Sequence, residues 1–305
     1  MDVGTLYRRT LEMWADRVAD AAGCDWTAPT PCREWTVRDL VNHVTGEDLW
    51  TAPLLRGETI ERVGHRFDGD LLGSEPVSRA LYAAGQASAL VAEMLPRHGT
   101  VHLSYGEESV EEYVHQLAAD HLVHSWDLAA ATGGDTHLDP KLVAEVTSWF
   151  AGREDGYRSA GAVGPRIGMS GDPQHDLLAA FGRDAHWGPN HAGLARFSAA
   201  FSRGDIEAIM AHMTDDCVFE ATGPVPDGIR HEGAEAVRQV WEEVFTTTRD
   251  PRFTEEDLFV AGERGVLRWR FSWANEDGSP GHVRGVDVLR LRDGKVCEKL
   301  SYVKG

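Results

Sequence analysis

Apolar residues in the first part of the chain recur at helical spacing. Leu11, Trp14 and Val18 return every three or four positions, and Gly23 follows them as a stop signal. The same spacing, read with capping signals and prolines, predicts further helices at residues 36–50, 77–96, 109–132, 140–150 and 175–181. Because loops separate these helices and no convincing strand interrupts them, the pattern predicts an all-α antiparallel bundle over residues 1–187.

The hydrophobic pattern changes after residue 188. Two helical stretches (194–205 and 206–213) lead into a short strand at 217–221, and residues 233–245 predict another helix. From Leu267 onwards apolar side chains alternate with period two, and residues 292–295 (RDGK) predict a hairpin turn between the last two strands. Helices followed by a meander of strands predict an α+β domain with a curved antiparallel sheet over residues 189–305.

The composition supports two globular domains and argues against several partners. The chain has 305 residues, of which 42% are hydrophobic, and exceeds the length at which one core usually stops growing. Its formal net charge of −19 repels phosphate backbones and anionic lipid surfaces. We therefore expect a soluble cytoplasmic protein with a small-molecule substrate, no nucleic-acid or membrane partner, and an oligomeric state left open, a homodimer being one alternative. Its four cysteines, without a CxxC pair, are expected to be free thiols.

Three titratable side chains on neighbouring predicted helices could bind a metal ion. Asp120 and His124 stand one helical turn apart on the fourth helix, and His43 borders the apolar stripe of the second. Two imidazoles and one carboxylate leave coordination positions open for water or substrate, as catalytic zinc sites do. An Asp and a His four residues apart are also commonly a simple hydrogen-bonded pair, so the spacing alone leaves both interpretations open.

Neighbouring residues carry weaker signals. His115 and His121 are alternative ligands, although their helical angles place them off the stripe. We expect Trp126 to pack in the bundle. Asp127 either orients a ligand imidazole, a usual role for carboxylates near metals, or is exposed at the surface.

In the second domain, the period-two pattern places Asp287 on the same strand face as Leu289 and Leu291. A lone carboxylate inside an apolar cavity would have a raised pKa and would suit proton transfer. The alternative is a buried Asp287 that pairs with Arg268 or Arg270. Residues that could line the same substrate cavity are Glu220, Trp241, Trp269, Trp273 and Tyr302, although plain core packing is the simpler interpretation for the aromatic ones.

Three separated segments resemble the DinB-type family that includes mycothiol-dependent maleylpyruvate isomerase. They read WTAPTPCREWTVRDLVNHV (26–44), DHLVHSWDLAAATG (120–133) and DLLAAFGRDAHW (176–187), in the family's order. The resemblance implies a divalent metal, zinc by default, held by His43, Asp120 and His124. The isomerase branch carries Glu where this chain has Asp120, which is a departure from the family's pattern.

The same resemblance implies a low-molecular-weight thiol, mycothiol, as a cosubstrate that binds at the metal. A zinc-bound thiol loses its proton and becomes a nucleophile at neutral pH. None of the four cysteines lies on a predicted metal-bearing stripe, so we expect no better nucleophile within the chain.

The second domain resembles the SnoaL-like branch of the cone-shaped nuclear-transport-factor-like fold. The resembling segments are residues 196–224, 231–241 and 284–302. Enzymes of that superfamily often use an Asp on the strand that carries Asp287, so the resemblance implies an acid or base there.

These observations favour a metal-dependent isomerase or transferase that uses mycothiol on a small electrophilic metabolite. The first alternative is a SnoaL-like cyclase, isomerase or dehydratase in which Asp287 does the acid–base chemistry. The second is a non-catalytic protein that binds ligands or dimerises, because a fold does not determine a function.

Overall fold

The computed structural model describes residues 1–32 and 35–304. They form two compact units, Met1–Ala185 and His186–Gly305, which are considered separately below. The loop predicted between the first two helices includes residues 33 and 34, which lie outside the described residues. Among the described residues, no helix has the length and apolar character needed to cross a membrane.

The first unit is a helical bundle. Its helices are α1 (Val3–Asp20), α2 (Val37–Leu55), α3 (Ile60–Val63), α4 (Pro76–Met94), α5 (Val110–Thr132), α6 (Pro140–Phe150), α7 (Glu154–Ser159) and α8 (Pro173–Ala180), with 3₁₀ turns at Ala21–Gly23 and Leu95–Arg97. Helix α1 packs on α4 and α5, and α2 packs on the same two helices. The all-α bundle predicted from helical spacing is thus confirmed.

Local capping chemistry explains where the two site-bearing helices begin. The Thr36 hydroxyl accepts a hydrogen bond from the backbone N–H of Asp39, while the Asp39 carboxylate accepts one from the backbone N–H of Thr36. Ser109 caps α5 by accepting from the N–H of Glu112, and Gly133 ends that helix in the left-handed conformation. Each cap is worth about 1 kcal/mol, so the sequence sets the start of both helices.

One expectation for this unit was wrong, because a short hairpin interrupts the helices. Strands β1 (Thr100–Leu103) and β2 (Gly106–Ser109) pair antiparallel just before α5. Only Val101 of the hairpin is fully buried. With so few apolar positions, the hairpin leaves no period-two pattern that a sequence analysis could detect.

The second unit is an α+β cone, as predicted. Its elements are α9 (Pro189–Arg203), α10 (Ile206–Ala211), β3 (Met213–Glu220), β4 (Arg230–Glu232), α11 (Ala234–Thr247), β5 (Arg252–Ala261), β6 (Arg264–Ala274), β7 (Pro280–Arg292) and β8 (Lys295–Val303). The strands form a sheet in the order β4–β3–β8–β7–β6–β5. All neighbours are antiparallel except β3 and β8, which run parallel.

The helices of the cone cover one face of this sheet. Leu194 and Phe197 of α9 and Trp241 of α11 are buried with the inward residues of the strands in one apolar core. The backbone of α9 approaches the β7–β8 turn very closely at Gly193. A Cβ atom on Gly193 would lie 1.8 Å from the carbonyl oxygen of Gly294. Only glycine therefore fits at position 193 without a shift of the backbone.

The turn between β7 and β8 is the hairpin predicted from residues 292–295. Asp293 and Gly294 both have positive φ angles, as a two-residue turn of type I′ requires. The register shifts close to the turn, because Leu291 pairs with Val296 but Arg290, the preceding residue of β7, pairs with Glu298. Cys297 is therefore the extra residue of a β-bulge, which changes the face of every later residue of β8.

Candidate functional site

The three residues predicted to bind a metal lie together on α2 and α5. The His124 Nε2 atom is 3.2 Å from Asp120 Oδ1, and the His43 Nε2 atom is 3.7 Å from Asp120 Oδ2. One nitrogen or oxygen from each residue lies within 4.8 Å of the others. Tetrahedral zinc with ligand distances of about 2.1 Å needs donor atoms roughly 3.4 Å apart, so small side-chain movements suffice.

The carboxylate of Asp120 shows that this group suits a cation. Its Oδ2 atom is buried and accepts no hydrogen bond from any described residue. Burial alone would raise the pKa of Asp120. The charges and hydrogen bonds of His124 and His43 have the larger effect and hold the pKa of this carboxyl well below its usual value. A buried anionic oxygen without a donor is costly, and a divalent ion between the two imidazoles would satisfy it.

His124 is oriented by a second carboxylate. Its Nδ1 atom lies 2.9 Å from Asp127 Oδ2, and Asp127 is fully buried. Because an ionised carboxylate only accepts, Nδ1 carries a proton. Burial opposes a charge on His124, but Asp120 and Asp127 raise its pKa well above the ordinary value, so Nε2 also carries a proton, faces Asp120 as a donor, and would exchange that proton for a metal ion. Of the two roles open to Asp127 from the sequence, the structure supports orientation of the imidazole and not surface exposure. Trp126, as expected, is buried in the bundle.

Asp127 is in turn held by Arg183, which the sequence analysis missed. The guanidinium of Arg183 donates to both carboxylate oxygens of Asp127 at 3.0–3.2 Å. Burial alone would raise the pKa of Asp127. The charges and hydrogen bonds of Arg183 and His124 have the larger effect and lower the pKa of this carboxyl. The available signal was the third resembling segment, which contains Arg183.

Cys32 also joins this network. Its Sγ atom is 3.2 Å from Asp127 Oδ2, 3.9 Å from His124 Nδ1 and 3.1 Å from a nitrogen of Arg183. Cys32 lies on no helical stripe, as expected, but a loop carries it to the residues that could bind a metal, where the sequence pattern gave no reason to look for it. The set of Cys32, His124 and Asp127 is a poorer cation site than the first, since the charge of Arg183 already occupies its anionic side.

Two further residues border the candidate metal-binding triad of His43, Asp120 and His124. The indole ring of Trp35 lies 4.8 Å from the ring of His43 and 6.0 Å from that of His124, so it walls one side. Glu47 follows His43 by one turn of α2. Burial, reinforced by the charge of Asp120, raises the pKa of Glu47. A carboxyl group poised closer to neutrality beside a metal-binding triad is suited to proton transfer.

The alternative histidine ligands lie outside the triad. His121 is buried and its Nε2 atom is 3.1 Å from Asp48 Oδ1, while its ring contacts Tyr7 edge-on. His115 stacks on Trp149 instead. Their helical angles, which placed both off the stripe, correctly separated them from His124.

In the cone, Asp287 lies inside a cavity but is not alone. Its Oδ1 atom is 2.9 Å from Lys299 Nζ and accepts a hydrogen bond from the Ser301 hydroxyl at 2.6 Å. The expectation of a lone carboxylate is therefore wrong, and so are the proposed partners Arg268 and Arg270. Arg268 lies on the opposite face of the sheet, where it pairs with Glu256 and Asp257.

The cavity has a volume of about 220 Å³ and a mostly apolar wall that includes six aromatic side chains. Trp241 and Trp269 line it together with Asp287, as predicted. Three other predicted lining residues, Glu220, Trp273 and Tyr302, are absent from its wall. Glu220 points away from it towards Arg230, Trp273 borders a separate cavity beyond the end of β6, and Tyr302 is half exposed.

The bulge at Cys297 explains the error at Tyr302. An unbroken hairpin register from the turn would pair Asp287 with residue 300 and would turn Tyr302 inwards. The observed register pairs Asp287 with Ser301, so Ser301 and Lys299 face the cavity instead. An analysis that assumes an unbroken register turns Lys299 away from the cavity, and for this reason the sequence analysis missed it.

Comparison with known families agrees with both halves of this architecture. The family of the mycothiol maleylpyruvate isomerase N-terminal domain matches residues 7–129, and the SnoaL-like domain family matches residues 194–299. Residues 7–129 include all three members of the metal-binding triad, and residues 194–299 include both Asp287 and Lys299.

Individual relatives match one part of the chain each. An uncharacterized protein of Mycobacterium tuberculosis, present in strains H37Rv and CDC 1551, is 36% identical over 152 residues, covering 48% of this chain and 75% of the relative. An NTF2-like protein of unknown function from Mesorhizobium loti is 38% identical in sequence. The match covers 38% of this chain and 92% of that protein, with a TM-score of 0.34. A similar protein from Burkholderia pseudomallei is 20% identical, with coverages of 38% and 91% and a TM-score of 0.34. The chain belongs to the family of the mycothiol maleylpyruvate isomerase N-terminal domain, which it joins to a SnoaL-like domain.

Proposed function

We propose that the chain is a metal-dependent isomerase or transferase that uses mycothiol to act on a small electrophilic metabolite. The observation that carries this proposal is the buried Oδ2 atom of Asp120, which has no hydrogen-bond donor among the described residues and lies between two imidazoles. The family match and the net charge of −19, which disfavours polyanionic partners, support it further. Because a thiol cosubstrate needs a reducing environment, we place this activity in the cytoplasm.

His43, Asp120 and His124 would hold the metal, with zinc as the default for two imidazoles and a carboxylate. A divalent ion bound there acts as a Lewis acid that lowers the pKa of a coordinated thiol or water. The chain's own residues prepare the site. Asp127 fixes the tautomer of His124, and Arg183 keeps Asp127 charged and in place.

Two residues at the edge of the triad would serve the substrate. The Trp35 indole, in contact with both imidazoles, forms an apolar wall that excludes water. Glu47, whose pKa is raised by burial and by Asp120, would accept the proton that the thiol releases and return it to the product. This assignment predicts that Glu47→Gln lowers turnover more than it lowers metal content.

Metal content and thiol binding test the proposal. Protein purified without chelator should contain one equivalent of divalent metal by elemental analysis, and His124→Ala should lose it. His115→Ala is the matched control, because His115 lies on the same helix but outside the triad. Calorimetric titration with mycothiol should show binding to zinc-loaded protein and none to His43→Ala. A full equivalent of metal in folded His124→Ala, or equal thiol binding in His43→Ala, would exclude the assignment.

A second candidate function, acid–base catalysis in the cone, is favoured by the position of Asp287. Its carboxylate is buried in the wall of the cavity, where a bound substrate could exchange a proton with it. Asp287→Asn keeps the shape of the side chain and removes the acid. Turnover of a cone-bound substrate that survives this change would assign Asp287 a structural role.

A further inference from the structure

A lysine lies buried in the cone cavity beside Asp287. Lys299 is 6% exposed, and its Nζ atom donates to the Ser301 hydroxyl at 2.6 Å and lies 2.9 Å from Asp287 Oδ1. Lysine is almost never fully buried, and it keeps its charge at such a place only with close partners. The metal site of the bundle does not involve this residue, so its role needs a separate explanation.

The surroundings of Lys299 are aromatic. Its Nζ atom lies 4.9 Å from the ring centre of Phe219, 5.5 Å from Trp241 and 5.8 Å from Phe201. The cavity extends from this wall to Val303, which is 42% exposed, so it reaches the surface. At about 220 Å³, it is smaller than the pockets that bind drug-sized ligands and suits a single-ring molecule.

Polar groups in the same wall also lack partners. The indole N–H groups of Trp241 and Trp269 are buried and have no hydrogen-bond acceptor among the described residues. Both side chains line the cavity. An oxygen atom on a bound ring compound would offer these donors an acceptor, which a purely apolar ligand would not.

Burial also changes the chemistry of the amine. It lowers the pKa of Lys299 below the ordinary lysine value, and the opposing attraction of Asp287 does not restore it. A larger fraction of this amine is thus neutral at a given pH than for an exposed lysine. Neutral lysines in hydrophobic pockets are nucleophiles towards carbonyl carbons.

We propose that Lys299 is a nucleophile that forms a Schiff base with a small aromatic aldehyde or ketone bound in the cone cavity. Asp287 accepts a proton from the ammonium group, and the free amine adds to the carbonyl carbon to give a carbinolamine. Asp287 then returns the proton to the carbinolamine hydroxyl, which leaves as water. The ammonium and the carbonyl compound are thereby converted to a protonated imine and water, and Asp287 is regenerated as the carboxylate.

Ser301 is a positioning residue in this scheme. Its hydroxyl accepts from Lys299 and donates to Asp287, so it connects the amine and the base without touching the reacting carbon. The proposal depends on the cone cavity alone, and loss of the metal site in the bundle would leave it intact.

Reductive trapping tests the proposal on the full chain. Benzaldehyde and cyanoborohydride convert a Schiff base to a stable benzyl amine, which peptide mapping by mass spectrometry locates. The chain has only four lysines, and Lys141, Lys295 and Lys304 are all exposed. Near neutral pH we expect Lys299 to be labelled at least severalfold faster than any of these three, because its lowered pKa leaves a larger fraction of the amine neutral. Faster labelling of the exposed lysines, or an unlabelled Lys299, would overturn the proposal.

Variants separate a nucleophile from a structural cation. Lys299→Arg should lose the rapid label while it stays folded by circular dichroism, and Lys295→Arg, an exposed residue of the same strand, should keep it. In Asp287→Asn, loss of the neighbouring anion should move the midpoint of the labelling rate to lower pH. An unchanged midpoint would show that Asp287 does not act on the amine. Because the mapping on the unsubstituted chain needs no variant, a failure of Lys299→Arg to fold leaves the test decisive.

Discussion

Replacement of Asp127 by asparagine tests how the bundle orients the residues proposed to bind a metal. The carboxylate accepts from His124 Nδ1 and from the guanidinium of Arg183, and it is fully buried. Asparagine keeps the size of the side chain but loses the charge, and its amide can present an N–H group to His124. The imidazole would then lose the acceptor that fixes its tautomer.

The structure gives two separate magnitudes for Asp127→Asn. Loss of a carboxylate that orients a ligand imidazole typically weakens metal affinity about 10- to 100-fold, which is about 1.4–2.7 kcal/mol. Breaking a buried ion pair costs about 3–5 kcal/mol of folding stability. We expect the lower end of that range, since the Arg183 side chain is 16% exposed and keeps its bond to the carbonyl oxygen of Phe181.

The two magnitudes are measured independently. Competition with a chromophoric chelator gives the zinc affinity, and urea unfolding of the metal-free protein gives the stability. Asp135→Asn is the control, because Asp135 is an exposed carboxylate that also pairs with an arginine, Arg17, but lies outside the site. A folded Asp127→Asn protein with unchanged zinc affinity would refute the orienting role and leave Asp127 only as the partner of Arg183.

Four further predictions concern the fold and the cone. Gly193→Ala should destabilise the cone by about 3 kcal/mol in urea unfolding because of the backbone clash, whereas Gly85→Ala, with no atom near its Cβ, should gain up to about 1 kcal/mol. Lys299→Met should cost about 3 kcal/mol by leaving Asp287 buried and unpaired, and adding Asp287→Leu should recover most of that loss. Because folding lowers the pKa of Lys299, the unfolded state binds more protons, so the unfolding free energy should rise with pH towards the ordinary lysine pKa; a flat profile would contradict this. Limited proteolysis should cut near residues 185–195 and release two folded fragments.

Periodicity predicted the parts of the site that lie on helices. His43, Asp120 and His124 share inward stripes, so a 3.6-residue period was enough to bring them together. Cys32 and Arg183 lie in irregular segments outside any helix, and no period relates their positions to α5. Their contacts depend on loop conformation, which local patterns do not encode.

In the cone, period two predicted the inward face of β7 but not that of β8. The type I′ turn at residues 293–294 fixes the register only as far as the bulge at Cys297. One extra residue exchanges the two faces of a strand, so Tyr302 moved out and Lys299 moved in. Nothing in the local composition of β8 marks that bulge, and only the pairing with β7 and β3 reveals it.

The central position of β8 has a consequence for the order of events during synthesis. This strand pairs with β3 on one side and with β7 on the other. Strands β4–β3 and β7–β6–β5 therefore cannot form one sheet until residues 295–303 have been made. At roughly 5–20 residues per second, translation of the 120 residues from His186 to Gly305 takes roughly 6–24 s after the bundle is complete. Within that interval β3 has an unpaired edge from its own synthesis until β8 is made, and β7 has one for a shorter time; such edges favour association between nascent chains. A chaperone that binds extended segments would therefore act on the cone, whose sheet is still incomplete after the bundle has been made.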